Sequence, residues 1–411
     1  MDNSVPPEVE ELAARTREFI RDVVIPVEQQ VAGVMHDAPD DLRRSLQKQA
    51  SDAGLLAPHV PKEWGGCGLD VRGQAVVFEA AGYSLLGPLA LNCSAPDEGN
   101  MHLLEVVASE EQKQKYLRPL ATGEIRSCFA MTEPAPGAGS DPAMLSTTAA
   151  KDGHGWRIDG RKWFISGAHG AGFSICMART SGSAGDRGGA TMFLVDADNP
   201  GMRVKRDIGT LDQGLFGGHS EVIFDGCRVG PDAILGEVDR GFEYAQVRLA
   251  PARLTHCMRW LGLARRAQDI AIDWAATRKS FGGLLGDLGM VQQMVADSEI
   301  DIAASRALIR DTAAVLDSGA RGGNESSIAK TFVAEAVNRV VDRAVQICGA
   351  LGISDDVLLS RYLREVRPFR IYDGPSEVHR WAIARRAIGR RRREIEAGDQ
   401  PRFTQPRTAE V

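Results

Sequence analysis

The chain has 411 residues, 43% hydrophobic and 25% charged, with a formal net charge of -6 and a pI near 5.8. That length calls for two or three domains rather than one core, and the acidic balance argues against general nucleic-acid binding. The N-terminus lacks a basic, then apolar, secretory leader, and no apolar run approaches bilayer-spanning length. The seven cysteines, at 67, 93, 128, 176, 227, 257 and 348, form no Cys-x-x-Cys pair, so a disulfide framework or zinc site is not expected. Reduced thiols in a cytoplasmic protein are the expectation.

Residues 8 to 122 read as helical. Val9, Leu12, Ala13, Phe19, Ile20, Val23 and Val24 recur at three- and four-residue spacing, the signature of one helix face. Turns are expected at Ala38-Pro39-Asp40, at 64–68 and around 92–99. From about 126 to 235 the pattern changes to short β-rich runs. Trp156-Arg157-Ile158 and Lys162-Trp163-Phe164-Ile165 flank Asp159-Gly160, a short hairpin signal. Further strands are predicted at 174–178, 191–195 and 221–224, with the Gly/Ser-rich stretch 181–189 an exposed connection. Helix returns from Gly241. Phe332/Val333, Ala336/Val337, Val340/Val341, Ala344/Val345 and Cys348 form a broad apolar stripe, which belongs to a helix packed among helices. Gly349 and Gly352 supply its stop signal. The predicted division is a helical segment over 1–125, a β segment over 126–235, a helical bundle over 236–395 and a polar, disordered tail over 396–411.

Two turns carry the chemistry. Ile371-Tyr372-Asp373-Gly374-Pro375-Ser376-Glu377-Val378-His379-Arg380 places an acid before Gly-Pro, where a carboxylate can be aimed into a pocket or can cap the following helix. Thr132-Glu133-Pro134-Ala135-Pro136-Gly137-Ala138-Gly139-Ser140-Asp141 is a second turn of small residues and hydroxyls. His256 and His379, the histidines near these motifs, have no partner at metal-ligand spacing and read as capping or packing residues. The run from Arg390 to Arg393, with Arg385 and Arg386, reads as a solvated helix face. There is no Walker A loop and no Gly-x-Gly-x-x-Gly in a strand-to-helix setting.

Taken together, the motifs resemble the acyl-CoA dehydrogenase flavoproteins. The resemblance rests on Thr132-Glu133-Pro134 followed by 137–141, on Phe164-Ile165-Ser166, and on Arg278-Lys279-Ser280-Phe281-Gly282, similar to that family's Arg-Lys-Thr-Phe-Gly. Gln346-Ile347-Cys348-Gly349-Ala350 and the acid-Gly-x-Ser-x motif at 373–377 complete it, in one order over roughly residues 10–390. It implies a multi-domain α+β fold: an N-terminal α-helical domain, a middle β-barrel or sandwich and a C-terminal four-helix bundle. It also implies FAD as cofactor, an acyl-CoA substrate, electron-transfer flavoprotein as acceptor, and a homotetramer or homodimer.

By that resemblance Met131 and Thr132 meet the flavin ring, with Phe129 close by. Phe164, Ile165 and Ser166 supply a wall, although the family's usual Trp falls at Phe164 while Trp stands here at 163. Arg278, Ser280 and Phe281 reach the FAD of a neighbouring subunit, and Gln346, Ile347, Gly349, Pro375, Ser376 and Glu377 complete the cofactor site. The family's frequent His-Gln is Leu288-Gly289 here, with Gln292 and Gln293 the polar candidates nearby. Ser140, Arg253, Tyr372 and Gly374 fall at acyl-CoA contacts. Of the two base positions known in the family, one aligns with Ala252, which cannot accept a proton; the other is Asp373, where most members carry Glu. With Arg253, His256, Cys257, Met258 and Arg259, this points to the branch of acyl-CoA dehydrogenase family members 10 and 11. The implied reaction is α,β-dehydrogenation to a trans-2-enoyl thioester, with Asp373 taking the α proton and its pKa raised by burial. A nitroalkane-oxidase-like or other flavin oxidase on the same fold stays open, as does a non-catalytic or DNA-associated flavoprotein. Chain length, branching and hydroxylation of the acyl group, and CoA against carrier protein, are left open by the sequence.

Overall fold

A computed structural model describes residues 5–399 and 402. The reading of a disordered tail over 396–411 falls largely outside these residues. The chain is built as helices, a β layer, then longer helices. The first part holds α1 (Pro7–Phe19), α2 (Ile25–Gln30), α3 (Asp40–Asp52), α4 (Val71–Ala81), α5 (Gly87–Ala90), α6 (Asp97–Val107), α7 (Glu110–Gln112) and α8 (Arg118–Ala121). The β layer comprises β1 (Ser127–Ala130), β2 (Thr148–Asp152), β3 (Gly155–Ser166), β4 (Phe173–Arg179), β5 (Ala190–Asp196), β6 (Met202–Ile208), β7 (His219–Val229) and β8 (Ile234–Leu235). After it come α9 (Gly241–Thr277), a small hairpin of β9 (Lys279–Ser280) and β10 (Gly283–Leu284), α10 (Gly289–Asp317), α11 (Gly323–Cys348), α12 (Leu359–Val366) and α13 (Ser376–Glu396).

The sheet runs β6-β7-β3-β2-β4-β5-β8, with β1 parallel to β4. Strands β4 and β5 are buried on both faces, and the two-residue strand period divides their side chains between two cores. Phe173, Ile175, Met177, Met192 and Leu194 join the large core shared with the helices. Cys176, Ala178, Phe193 and Val195 turn the other way into a core closed within the β layer by Trp156, Ile158, Ile165, Val222 and Phe224. The β layer is thereby fastened to the helices along β4 and β5.

The expected hairpin at Asp159-Gly160 is not a turn. Strand β3 runs unbroken through these residues and pairs with β7 on either side of an irregularity between Ile158 and Gly160. The Asp159 carboxylate accepts the Gly226 amide at 2.7 Å, and a Cβ on Gly160 would lie 2.3 Å from Thr147 Oγ1. Asp-Gly here serves a bulge and a close cross-strand approach; the turn into β3 is made upstream, at Gly153. Phe164-Ile165-Ser166 consequently ends a strand instead of closing a hairpin. Strand β6 carried no sequence prediction because five of its seven residues are exposed.

A buried ion pair fixes β3 to the segment after β1. Lys162 and Glu133 are both fully buried, with Nζ 2.8 Å from Oε1. Lys162 also donates to the Met131 carbonyl at 3.1 Å, and Glu133 accepts the amides of Ala138, Ser146 and Thr147. Burial pushes the Glu133 carboxyl up, but Lys162, with the Ser146 hydroxyl, outweighs it and brings the pKa to about 2. Replacing Lys162 by Met strands a buried carboxylate, and an urea titration at neutral pH is expected to show a loss of about 3–5 kcal/mol. Because the folded pKa lies below the ordinary value of roughly 4.3, this contribution is complete above about pH 5 and fades as the pH falls toward 2. The acid side of the wild-type stability profile therefore flattens in the Lys162→Met protein.

Candidate active site

Between α12 and α13 the chain makes a 3-10 turn over Arg367–Arg370 and then the short connection 371–375. Asp373 and Gly374 both adopt left-handed backbone, with φ of 53° and 98°, a conformation that must be held from outside when the residue is not glycine. Three cationic or imidazole groups hold it. Arg253 Nε donates to the Asp373 carbonyl at 3.1 Å, and His379 Nε2 lies 3.1 Å from the same oxygen. Fully buried Lys330 donates to the Gly374 carbonyl at 2.7 Å. Burial presses the Lys330 ammonium down to a pKa of about 8.

With its backbone pinned, Asp373 turns its carboxylate toward α9, where Oδ2 lies 3.3 Å from His256 Nε2. Arg259 approaches the other ring nitrogen, Nδ1, at 3.2 Å. A guanidinium only donates, so Nδ1 accepts, and the ring proton sits on Nε2 facing Asp373. Burial, reinforced by Arg259, lowers the His256 pKa and keeps the ring neutral. Arg259 is itself tied to the Cys93 carbonyl at 2.7 Å and to Glu98 at 3.4 Å. Helix period explains the arrangement: Arg248, His256 and Arg259 recur at eight and three residues along α9 and share a face.

As expected, burial pushes the Asp373 carboxyl up, but the His256 hydrogen bond and the fields of Arg248 and Arg253 outweigh it here and hold the carboxyl below the ordinary range. The capping alternative fails, because α13 starts after Pro375 with no side-chain cap. Both nearby histidines do more than pack: one faces the carboxylate and the other the carbonyl of the same residue.

The second turn approaches from the β layer. Thr132 Oγ1 donates to the Trp163 carbonyl at 2.6 Å, and the Trp163 amide returns a bond to the Thr132 carbonyl at 3.1 Å. Between Lys162 and Ile165 the β3–β7 register shifts, and there Phe164 takes φ 51° with 45% of its surface exposed. This bulge stacks the Trp163 and Phe164 rings edge to face at 4.9 Å and leaves an aromatic ring open to a planar ligand. Ser166 Oγ lies 2.9 Å from His219 Nδ1. Phe129 bridges the halves: the Arg248 guanidinium sits 4.3 Å over its ring and is held by Asn100 at 2.8 Å. Met131 and Tyr372 both pack against the large core, and Trp260 donates to the Tyr372 hydroxyl.

Other predicted residues lie apart. Ser140 is exposed on the loop before Asp141, which caps a short turn at Ala143. Arg278 and Ser280 stand at the β9–β10 hairpin, whose Phe281 is 90% exposed. Gln346 and Gly349 are exposed at the end of α11, where Gly349 has φ 59° and open space on its Cβ side. Among the described residues no hydrogen bond joins this set to the Thr132 group. Ile347 and Ser376 are buried, Ser376 beside Glu335, while Glu377 is exposed and Pro375 precedes α13. Gln292 binds the Gly286 carbonyl at 3.1 Å. Arg248, Lys330, Lys162 and Glu133 were not anticipated. The available signals were a lysine in the apolar run 328–334 and, for Lys162, its place in register with inward-facing Trp156 and Ile158. No His/Cys/Asp/Glu group among the described residues is arranged to hold a metal, and no helix is long and apolar enough to cross a membrane.

A helical, β-layer, helical chain that carries both a pinned acid turn and an exposed aromatic bulge is of the class of flavin oxidoreductases of the acyl-CoA dehydrogenase type. Family models match all three parts: the acyl-CoA dehydrogenase N-terminal domain at 6–124, the middle domain at 128–227 and the C-terminal domain at 239–388. The chain belongs to the acyl-CoA dehydrogenase family. It is 38% identical over 362 residues to "Probable acyl-CoA dehydrogenase FadE2" of Mycobacterium tuberculosis, covering 86% of this chain and 87% of that one. It is 35% identical over 393 residues to acyl-CoA dehydrogenase family member 11 of Gallus gallus, covering 92% of this chain but 50% of the relative, so it spans half of that protein's length. The solved butyryl-CoA dehydrogenase of Megasphaera elsdenii superposes with a TM-score of 0.84 at 25% identity, over 94% of this chain and 100% of that one.

The left-handed turn is directly testable. A Cβ at Gly374 would lie 2.7 Å from His379 Nε2. Gly374→Ala is expected to destabilise the protein by about 1–3 kcal/mol in urea denaturation, with His379→Ala in the same chain recovering part of the loss by removing the clash.

Proposed function

We propose that this protein is an FAD-dependent acyl-CoA dehydrogenase in which Asp373 is the base that removes the proton α to a thioester carbonyl. The observation that carries the reading is the Asp373 carboxylate, largely enclosed and held 3.3 Å from His256, on a turn whose carbonyls are occupied but whose Asp373 amide has no hydrogen-bond acceptor among the described residues. A carboxylate beside a free, fixed N–H is the pair that α-proton removal requires: one group takes the proton while the other stabilises charge developing on the thioester oxygen.

The residues present fit FAD. The open Phe164 ring on its bulge suits one face of an isoalloxazine, the Met131–Thr132 backbone lies alongside, and the open Cβ side of Gly349 admits close approach to a diphosphate. When bound, FAD supplies the acceptor for the hydride that leaves the β carbon. The chain's own residues do the remainder. Arg253, His379 and Lys330 fix the turn, His256 orients the carboxylate, and Tyr372 and the core beneath it exclude water. The low resting basicity of Asp373 has to rise for proton removal. Its His256 hydrogen bond is the contact whose loosening by an entering acyl chain raises it.

The butyryl-CoA dehydrogenase likeness supports an acyl-CoA substrate, with an electron-transfer flavoprotein as acceptor. The exposed apolar residues Phe281, Met290 and Trp381 on the C-terminal helices and their hairpin support assembly into a homodimer or homotetramer, with Arg278 and Phe281 completing a neighbour's cofactor site. Sedimentation should give a multiple of the 44.3 kDa chain; a monomer would count against that part of the proposal.

Anaerobic mixing of the FAD-loaded protein with a panel of acyl-CoAs is expected to bleach the flavin. Asp373→Asn should slow the bleaching by at least about 10³-fold; bleaching as fast as wild type overturns the assignment. Rapid reoxidation by oxygen alone would favour the oxidase alternative. The pH profile has a defined sign. With the folded pKa depressed, free-enzyme kcat/KM holds no acid limb from Asp373 between about pH 5 and 8. His256→Leu removes the hydrogen bond to Asp373, the largest contact opposing the push from burial, so the acid limb is expected to move up.

A further inference from the structure

Ser166, at the end of β3, faces His219, its cross-strand partner at the start of β7. Its Oγ lies 2.9 Å from His219 Nδ1, and His219 Nε2 lies 3.0 Å from Asp212 Oδ2. Both ends of this chain of contacts are fixed. Asp212 sits on the loop 209–218, whose Gln213 and Gly214 amides bind the Glu365 carboxylate at 2.7 and 3.0 Å. The Gln213 carbonyl accepts the Met35 and His36 amides at 2.8 and 3.0 Å. Gly218 has φ 53°, and a Cβ there would meet the His36 ring at 1.9 Å, so the loop enters β7 along one path only. The side chains of His219 and Asp212 are largely enclosed.

For a neutral His219 ring, hydrogen-bond logic fixes the protons. An ionised carboxylate only accepts, so in the neutral ring Nε2 carries the hydrogen and Nδ1 is the acceptor. Burial pushes the Asp212 carboxyl up, but the hydrogen bonds from His219 and Thr210 bring it net below its ordinary value, consistent with ionisation. Ser166 must therefore donate its hydroxyl hydrogen to His219 and presents only lone pairs on its other side. The same residue types form hydrolytic triads, but here the Gly167 amide, next to the hydroxyl, is spent on the Gly218 carbonyl at 2.9 Å. No neighbouring oxyanion donor is left there for a serine nucleophile.

We infer that His219 and Asp212 are positioning residues that commit the Ser166 hydroxyl to act as a hydrogen-bond acceptor toward the bound flavin. This rests on the proposed FAD site, in which Ser166 adjoins the ring. An oxidised flavin offers a bare ring nitrogen, which a lone pair repels; the two-electron-reduced form carries an N–H there, which a lone pair attracts. The relay thereby biases the cofactor toward its reduced form. It makes abstraction of substrate hydrogen more favourable without touching the substrate.

The test is the two-electron midpoint potential of the purified FAD-loaded protein, equilibrated anaerobically against a reference dye. His219→Ala frees the Ser166 hydrogen to turn toward the flavin, and the oxidised-to-reduced ratio at fixed potential is expected to rise about tenfold, a shift of about 30 mV to more negative values. Asp212→Asn, which leaves the imidazole in place, is expected to shift the potential in the same direction. In a Ser166→Ala background the His219→Ala shift is expected to vanish, because the effect passes through the hydroxyl. An unchanged potential in both single variants overturns the inference, and so does a His219→Ala shift that persists without Ser166. Failure of the wild-type chain to take up FAD overturns the FAD reading together with this inference; normal FAD content with unmoved potentials overturns the relay alone.

Discussion

Everything in the site depends on holding one acidic residue in backbone space that acids seldom occupy. Asp373 and Gly374 turn with positive φ, and a turn of this kind persists only where its surroundings over-determine it. Here the carbonyls are taken by Arg253, His379 and Lys330, from α9, α13 and α11. Three helices thus converge on two peptide units. The resulting geometry aims the carboxylate at His256 and leaves the Asp373 amide without an acceptor among the described residues.

The electrostatics follow from the same convergence. The His256 hydrogen bond, with the fields of Arg248 and Arg253, wins over burial at the carboxylate. Asp373 is consequently ionised but weakly basic at rest, unlike the raised carboxyls by which many buried acids serve as bases. The compensation lies in His256, whose neutrality and tautomer are set by Arg259. A neutral donor is displaced more readily than a formal ion pair, so in the proposed reaction an entering ligand raises Asp373 by loosening this contact. Across the cleft the β layer uses equivalent devices. Glu133–Lys162 anchors the Thr132 segment, and the bulge at 163–164 exposes an aromatic ring.

Much of the fold was legible because its elements bury apolar residues at regular periods. The stripe from Phe332 to Cys348 falls within α11 and stops at Gly349, and the runs at 174–178 and 191–195 lie within β4 and β5. Strand β6 was silent because an exposed strand has no apolar face to show. Asp159-Gly160 misled because local turn chemistry cannot reveal that Gly226 approaches from β7 and Thr147 from the segment just before β2. In the site, Asp373, Thr132 and Phe164 stood out through motif and resemblance. Their supports did not, since Arg248, His256, Lys330 and His219 are single polar residues within ordinary helix or strand patterns. Only the tertiary fold brings His256 across 117 positions of sequence to Asp373.

The central claim is that Asp373 rests as an ionised carboxylate facing a neutral His256. An infrared difference spectrum between the wild-type protein and Asp373→Asn, recorded from about pH 5 to 8, reports that carboxyl directly. The account predicts a carboxylate band throughout this range. A protonated carboxylic acid band at neutral pH would contradict it.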